Sequence, residues 1–188
     1  PYTSSAASDV YKRQALRLES KYKYIKLIES EHNKGKGHAL NLGINESSKE
    51  YIGILDADLE YSPNDLKNLF EEIHENNIDI ACGSRFIGDQ KRKNLYIRTY
   101  LANKFLSILF SIIHRKKVTD IATCLKVFRK NILKSIELKE NGFSIEVELL
   151  AKTLARSNKF IEIPINYSAR SYEDGKKIKF TDGFKYIL

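Results

Sequence analysis

The chain has 188 residues, the length of one domain and enough to bury a sizeable core. Apolar residues make up 42% and charged residues 30%, with 11 Tyr and 9 Phe, which excludes a disordered composition. A net charge of +8 favours anionic partners without choosing among nucleic acid, a lipid surface and phosphate-bearing substrates.

Residues 1–14 begin with a small polar run that has no period, and the chain contains no methionine. The segment 1–14 is therefore expected to be non-native or disordered, and a partial domain is expected over 15–188. The apolar run at 24–28 reads as a short strand. Asn33-Lys34-Gly35-Lys36-Gly37 follows and opens a helical pattern through Ala39, Leu40 and Leu42 to Ile44. The continuous apolar run at 51–55 fits a strand buried on both faces. Next comes a helix with clear signals. Ser62 is a good N-cap, Pro63 suits the first helical position, and Asp65 lies three residues after the cap. Leu66, Leu69, Phe70 and Ile73 then repeat at i, i+3, i+4 and i+7. A strand is read at 78–82, a long helix near 95–113, a strand at 124–128, a short helix near Ile132 and a helix over 144–155. Pro164 ends a last strand at 160–163. The final residues, 183–188, stop inside an amphipathic pattern, so truncation is expected at both ends. Alternating strands and helices imply an α/β sheet with helices on both faces. No signal peptide is visible, and no stretch reaches the roughly 20 apolar residues that span a bilayer. Cys82 and Cys124 have neither disulfide nor metal-ligand spacing and read as buried thiols.

Asp56 and Asp58 stand two apart where a strand gives way to a loop. Residues two apart project to one side, and this edge is where open α/β sheets bind ligands. Converging carboxylates can hold Mg²⁺ or Mn²⁺, which can bridge to substrate phosphates and neutralise a departing diphosphate. A plain polar turn is the alternative. Lys34-Gly35-Lys36-Gly37 opens a helix as a phosphate cradle would, although it lacks the P-loop pattern and by itself is only a basic turn. In Gly83-Ser84-Arg85 the arginine can clamp a phosphate, but the tripeptide alone reads as a surface arginine. Asp120, Glu146 and Glu148 alone read as solvated or capping carboxylates. A basic loop carries Arg170, Lys176, Lys177 and Lys179; it closes over phosphates, touches an anionic lipid surface, or is simply solvated. Residues 105–113 are strongly apolar and run into His114-Arg115-Lys116-Lys117. They either lie against a membrane or form a buried helix with a cationic end.

Six segments in order carry a family resemblance. They are Asn33-Lys34-Gly35-Lys36-Gly37-His38-Ala39-Leu40, Leu55-Asp56-Ala57-Asp58-Leu59-Glu60-Tyr61-Ser62-Pro63, and Gly83-Ser84-Arg85-Phe86. Then follow Asp120-Ile121-Ala122-Thr123-Cys124-Leu125-Lys126-Val127-Phe128-Arg129, Gly142-Phe143-Ser144-Ile145-Glu146, and Arg170-Ser171-Tyr172-Glu173-Asp174-Gly175-Lys176-Lys177-Ile178. Over roughly 15–188 the chain resembles family 2 glycosyltransferases of the GT-A fold, and within them the dolichyl/polyprenyl-phosphate sugar synthases. The resemblance implies a GT-A type, Rossmann-like, mostly parallel sheet flanked by helices and missing its first strands. It implies a partial glycosyltransferase catalytic domain over 15–188. It also implies inverting transfer from a nucleotide-sugar donor to a polyprenyl (dolichyl or undecaprenyl) phosphate, with Mg²⁺ or Mn²⁺.

By the same resemblance Asp56, Asp58 and Glu60 are metal residues. Lys34, Lys36, Arg170 and Lys176 face donor phosphates, and Arg85 and Arg98 face the acceptor. Asp58, Asp120 and Glu146 are the catalytic candidates. An ionised phosphate acceptor needs little general base, whereas an alcohol needs one, for which Asp120 or Glu146 would serve. Two departures bear on the acceptor site: Ala122 stands where relatives carry an acid, and Leu125 where they carry an aromatic. The family's opening nucleotide-binding strand and its Asp-Gly-Ser-like motif are not found, so the chain alone is expected to bind donor poorly. The expected place is the cytoplasmic face of a membrane, held peripherally, with membrane helices possible in the parent protein beyond Leu188. The other readings are a family 2 enzyme acting on polysaccharide or on another lipid or protein acceptor, and a non-catalytic scaffold. A basic nucleic-acid module is disfavoured, because the basic residues are scattered over loops with no aromatic-studded binding sheet.

Overall fold

The computed structural model describes residues 4–30, 32–89, 92–93 and 97–169, with side chains throughout except at 4–11 and 92–93. The chain divides into two compact units, Pro1–Asn33 and Lys34–Leu188. The first unit carries helix α1 (Ser4–Lys21), an element that the sequence reading did not place. Residues 24–28, expected as a strand, pair with no other strand among the described residues. A strand needs a partner backbone, and here the Leu27 N–H is taken by Glu19 Oε1 at 2.8 Å.

The second unit runs α2 (Lys36–Glu46), β1 (Tyr51–Ile54), α3 (Pro63–Glu75), β2 (Ile80–Ser84), β3 (Arg92–Lys93), α4 (Ile97–His114), β4 (Lys126–Arg129), α5 (Lys130–Lys134), α6 (Ile145–Leu154), β5 (Phe160–Pro164) and β6 (Tyr167–Ser168). α3 starts as its sequence signals require: Pro63 opens it and Ser62 Oγ accepts the Asn64 N–H at 3.2 Å. Asp65 has a longer-range role, accepting the Asn166 N–H at 3.1 Å.

The main sheet has the order β1-β4-β2-β5, and β3 and β6 form a separate parallel pair. The α/β class with flanking helices is as expected. The sheet is mixed, however, where mostly parallel pairing was expected. β4 lies antiparallel to both β1 and β2, and only β2 and β5 pair in parallel. β1, β2 and β5 therefore share one direction and β4 runs against them.

Side chains alternate across the sheet, as strand geometry demands. Ile80 and Phe128 face one layer, with Leu149 and Leu150 of α6 and Phe110 of α4. Ala81 and Val127 face the other, with Leu69 and Ile73 of α3. All five residues of β2 are buried, whereas β1, expected to be buried on both faces, leaves Gly53 exposed. Leu69 and Ile73 are fully buried, and truncating either to alanine would cost about 2–5 kcal/mol.

Candidate functional site

The sheet directions bring the site together. Asp56, Asp58 and Glu60 follow the end of β1, and Arg85 follows the end of β2. β4 enters from that same edge, so Asp120 and Thr123 arrive beside them. Lys126, the first residue of β4, stands opposite Ile54 of β1 and Cys82 of β2.

A chain of ion pairs crosses this edge. Lys36 Nζ lies 2.8 Å from Asp56 Oδ2 and 2.7 Å from Glu146 Oε1. The second contact is an ion pair without an aligned hydrogen bond. Glu146 Oε2 accepts from Lys126 Nζ at 2.5 Å, and Lys126 also donates to the Thr123 carbonyl. Lys126 is fully buried and Glu146 nearly so, while Lys36 keeps a narrow opening. Burial disfavours the Lys36 charge, but Glu146 and Asp56 outweigh it and hold its pKa above the ordinary lysine value. The Lys36 ammonium is thus fixed at neutral pH beside the Asp56 carboxylate.

Lys36 is placed by two glycines. Gly35 has φ +99°, and a Cβ there would sit 2.2 Å from the Asn141 carbonyl oxygen. A Cβ on Gly37 would sit 1.9 Å from the Glu140 carbonyl oxygen, and the Gly37 N–H donates to Asn141 O at 2.8 Å. The turn expected to cradle phosphate therefore receives the 140–141 backbone, and its Gly37 amide is already bonded.

Arg85 and Asp120 form a second, sealed pair. Arg85 Nε meets Asp120 Oδ2 at 2.6 Å, Arg85 Nη2 meets Oδ1 at 2.7 Å, and the Arg85 N–H donates to Oδ2 at 3.0 Å. Both side chains are buried, and the guanidinium lies over the Phe86 and Tyr167 rings. Burial opposes the Arg85 charge, but Asp120 outweighs it and keeps the pKa well above normal. Glu162 of β5 fixes the neighbouring turn by accepting the N–H groups of Thr119 and Asp120.

The structure thus brings Lys36, Asp56 and Glu146 into contact, and separately Arg85 with Asp120. Asp58 Oδ1 accepts the Glu60 N–H at 3.2 Å, within a turn where Leu59 has φ 62°. Glu60 receives the Tyr167 hydroxyl at 2.8 Å. Lys34 is exposed, as is Arg98 on the first turn of α4. Arg170 and Lys176 lie outside the described residues. Three organisers were not singled out from the sequence: Lys126, Glu162 and Tyr167. Lys126 carried a signal, because a lysine inside the apolar run Leu125-Lys126-Val127-Phe128 must find a buried anion. The two cysteines are free and buried; burial pushes the Cys124 thiol up to about 12 and raises Cys82 as well, so neither is a thiolate nucleophile.

Among the described residues no group of three His, Cys, Asp or Glu side chains is gathered to hold a metal. Asp56 and Asp58 supply hard oxygen donors at a solvent-reached edge. That donor set fits Mg²⁺ or Mn²⁺ held through one or two carboxylates, with substrate phosphates and water completing the shell.

Comparison with known proteins gives the family and the fold. The family model described as Glycosyl transferase family 2 matches residues 4–137. The dolichol-phosphate mannosyltransferase of Pyrococcus furiosus is 32% identical over 177 residues, covering 93% of this chain and 49% of the relative. The low-salt glycan biosynthesis hexosyltransferase Agl6 of Haloferax volcanii is 23% identical, covering 82% of this chain and 37% of its own length. The chain spans about half the length, or less, of these two relatives. Among solved structures, glucosyl-3-phosphoglycerate synthase from Mycobacterium tuberculosis in complex with UDP superposes with a TM-score of 0.60 at 17% identity, covering 81% of this chain and 52% of that one. The same synthase with Mn²⁺, UDP and glucosyl-3-phosphoglycerate gives a TM-score of 0.57 at 15% identity, over 74% and 49% of the two chains. These likenesses establish the GT-A type of α/β fold.

Proposed function

The chain belongs to glycosyltransferase family 2, and on that premise we propose that it serves transfer of a sugar, with inversion, from a nucleotide-diphosphate donor to a polyprenyl phosphate. The observation that carries this reading is the state of the two carboxylates that would act as general base. Asp120 is fully buried and gripped on both oxygens by Arg85. Glu146 is held between the Lys36 and Lys126 ammonium groups. A hydroxyl acceptor would need one of them to take its proton. A phosphate acceptor is already ionised and needs neither. The similarity to the dolichol-phosphate mannosyltransferase of Pyrococcus furiosus supports the same acceptor class.

In this reading Asp56 and Asp58 hold Mg²⁺ or Mn²⁺, a choice that Mn²⁺ in the structurally similar synthase supports. The bound metal would supply positive charge to the departing diphosphate. Lys36 adds a fixed ammonium beside Asp56, and Lys34, Arg170 and Lys176 supply further charge to donor phosphates. Arg98 is assigned to the acceptor phosphate. Arg85 is the residue whose expected role changes: it acts as a positioning residue that holds Asp120. Glu60, restrained by Tyr167, shapes the metal loop. A lipid-linked acceptor supports work at a membrane surface, which this reading assigns to the cytoplasmic face. No helix among the described residues is long and apolar enough to cross one.

The test, made on the whole protein, pairs a polyprenyl phosphate with the matching polyprenol, using a panel of nucleotide sugars with Mg²⁺ or Mn²⁺. Transfer to the phosphate and none to the alcohol is expected. Asp58→Ala should lose metal-dependent turnover by on the order of 10²-fold or more. Sugar transfer to the alcohol, with the phosphate ignored, would overturn the acceptor assignment.

A further inference from the structure

α4 has one side turned to the core and an opposite, apolar side turned outward. Ser107 and Phe110 face inward and are buried. On the other side Ile97, Leu101, Phe105, Ile108 and Ile112 are 76%, 59%, 60%, 58% and 69% exposed. Steps of four, four, three and four residues place all five on one stripe of a 3.6-residue helix. The helix contains no Asp or Glu. Arg98 and Lys104 lie on it, and Arg115, Lys116 and Lys117 follow directly. Arg115 adopts φ 51°, which ends the helix and turns the basic run off its axis. An open groove of about 470 Å³ runs along this flank, lined among others by Lys104, Ile108, Ile112, Arg115, Lys116 and Lys117.

We propose that the outward face of α4 docks in the plane of an anionic lipid bilayer, with the five apolar side chains at the acyl boundary and the basic groups at the headgroups. With 18 residues the helix is about 27 Å long, and its exposed stripe is that of an in-plane helix. Charge selects the occupant. Two copies of this face would oppose cation to cation with no carboxylate on either helix, whereas an anionic bilayer offers hydrocarbon and negative charge together. A nucleic acid would satisfy the cations and leave the stripe in water. The inference deepens the reading of a lipid-linked acceptor. It stands apart from it experimentally, because binding to vesicles without acceptor does not depend on transfer.

Co-sedimentation of the chain with phosphatidylglycerol/phosphatidylcholine vesicles tests this, against pure phosphatidylcholine vesicles. Binding to the anionic vesicles should be at least about tenfold tighter and should weaken with salt. The double variant Phe105→Glu/Ile108→Glu should lose about tenfold or more while keeping the parent circular dichroism, since both side chains already face water. Lys67→Glu, on exposed α3 surface, should bind as the parent does. Absent binding, equal binding to neutral vesicles, or a double variant that binds unchanged would each overturn the proposal. So would sedimentation equilibrium showing a dimer that the double variant abolishes.

Discussion

Glu146 sits between two ammonium groups, so removing its charge leaves both without their shared anion. Lys126 would retain only the Thr123 carbonyl in a fully buried place. Breaking a buried pair by deleting one partner costs about 3–5 kcal/mol, because a buried charge remains uncompensated. Glu146→Gln should therefore lower the urea midpoint by the equivalent of about 3 kcal/mol at unchanged m-value. Lys67→Ala, which breaks an exposed pair with Glu71 on α3, should cost no more than about 0.5 kcal/mol. Similar losses in the two variants would contradict the network. Glu148 gives a pH test on the same helix. Burial pushes its pKa up, but bonds from Lys152 and from the N–H groups of Glu140 and Lys139 outweigh this and hold it below the ordinary 4.5. A lowered carboxylate pKa stabilises the fold above the ordinary value, and that contribution is lost as pH falls through the folded value. The stability gap between the parent and Glu148→Gln should be full above about pH 4.5 and close below it. A gap that persists unchanged into strong acid would count against the assignment.

At the scale of elements, α2 offers a paired test of close approach. Gly37→Ala forces a methyl onto the Glu140 carbonyl, while a Cβ at Gly43 on the same helix meets nothing within 4 Å. Gly43→Ala should stabilise by roughly 0.5–1 kcal/mol, the helix-interior difference between the two residues. Gly37→Ala should destabilise and raise proteolysis near residues 140–142, as the loop loses its seat. Equal effects of the two substitutions in thermal unfolding would remove that role for the Lys34-Gly35-Lys36-Gly37 turn. The same contrast explains what could be read from sequence. α3 was legible because its cap, its proline and its apolar period are local. β1 was legible as an unbroken apolar run and β2 as a short strand near 78–82. The direction of β4 was not, since a strand's polarity in a sheet is decided by its neighbours. Residues 24–28 have strand composition, but strand formation requires a partner that composition does not reveal. The Asp56 and Asp58 carboxylates were legible from spacing and position. Their partner Lys36, and Glu146 beyond it, come together only through the fold, and Arg85 looked like a surface residue until Asp120 closed on it.

Across the whole molecule, one sheet edge gathers opposite charges at different depths. Arg85–Asp120 and Lys126–Glu146 are closed and buried, whereas Asp56 and Lys36 reach solvent. Ligand binding at this edge should therefore register as global stability. A ligand that binds only the folded state adds about 2.7 kcal/mol when present at a hundred times its Kd. Mn²⁺ alone meets two carboxylates with a competing ammonium next to one of them, so it should shift the melting temperature little. A nucleoside diphosphate alone meets Asp56 and Asp58 as like charges and should also do little. Together the metal and the diphosphate satisfy one another and the loop, and in the whole protein a cooperative rise in melting temperature is expected, reversed by EDTA. The same titration on Asp56→Ala/Asp58→Ala should show no rise, while Lys67→Ala, on the exposed surface of α3, should retain it. A diphosphate that stabilises the double variant as well as the parent, or that needs no metal, would move the metal site away from the end of β1.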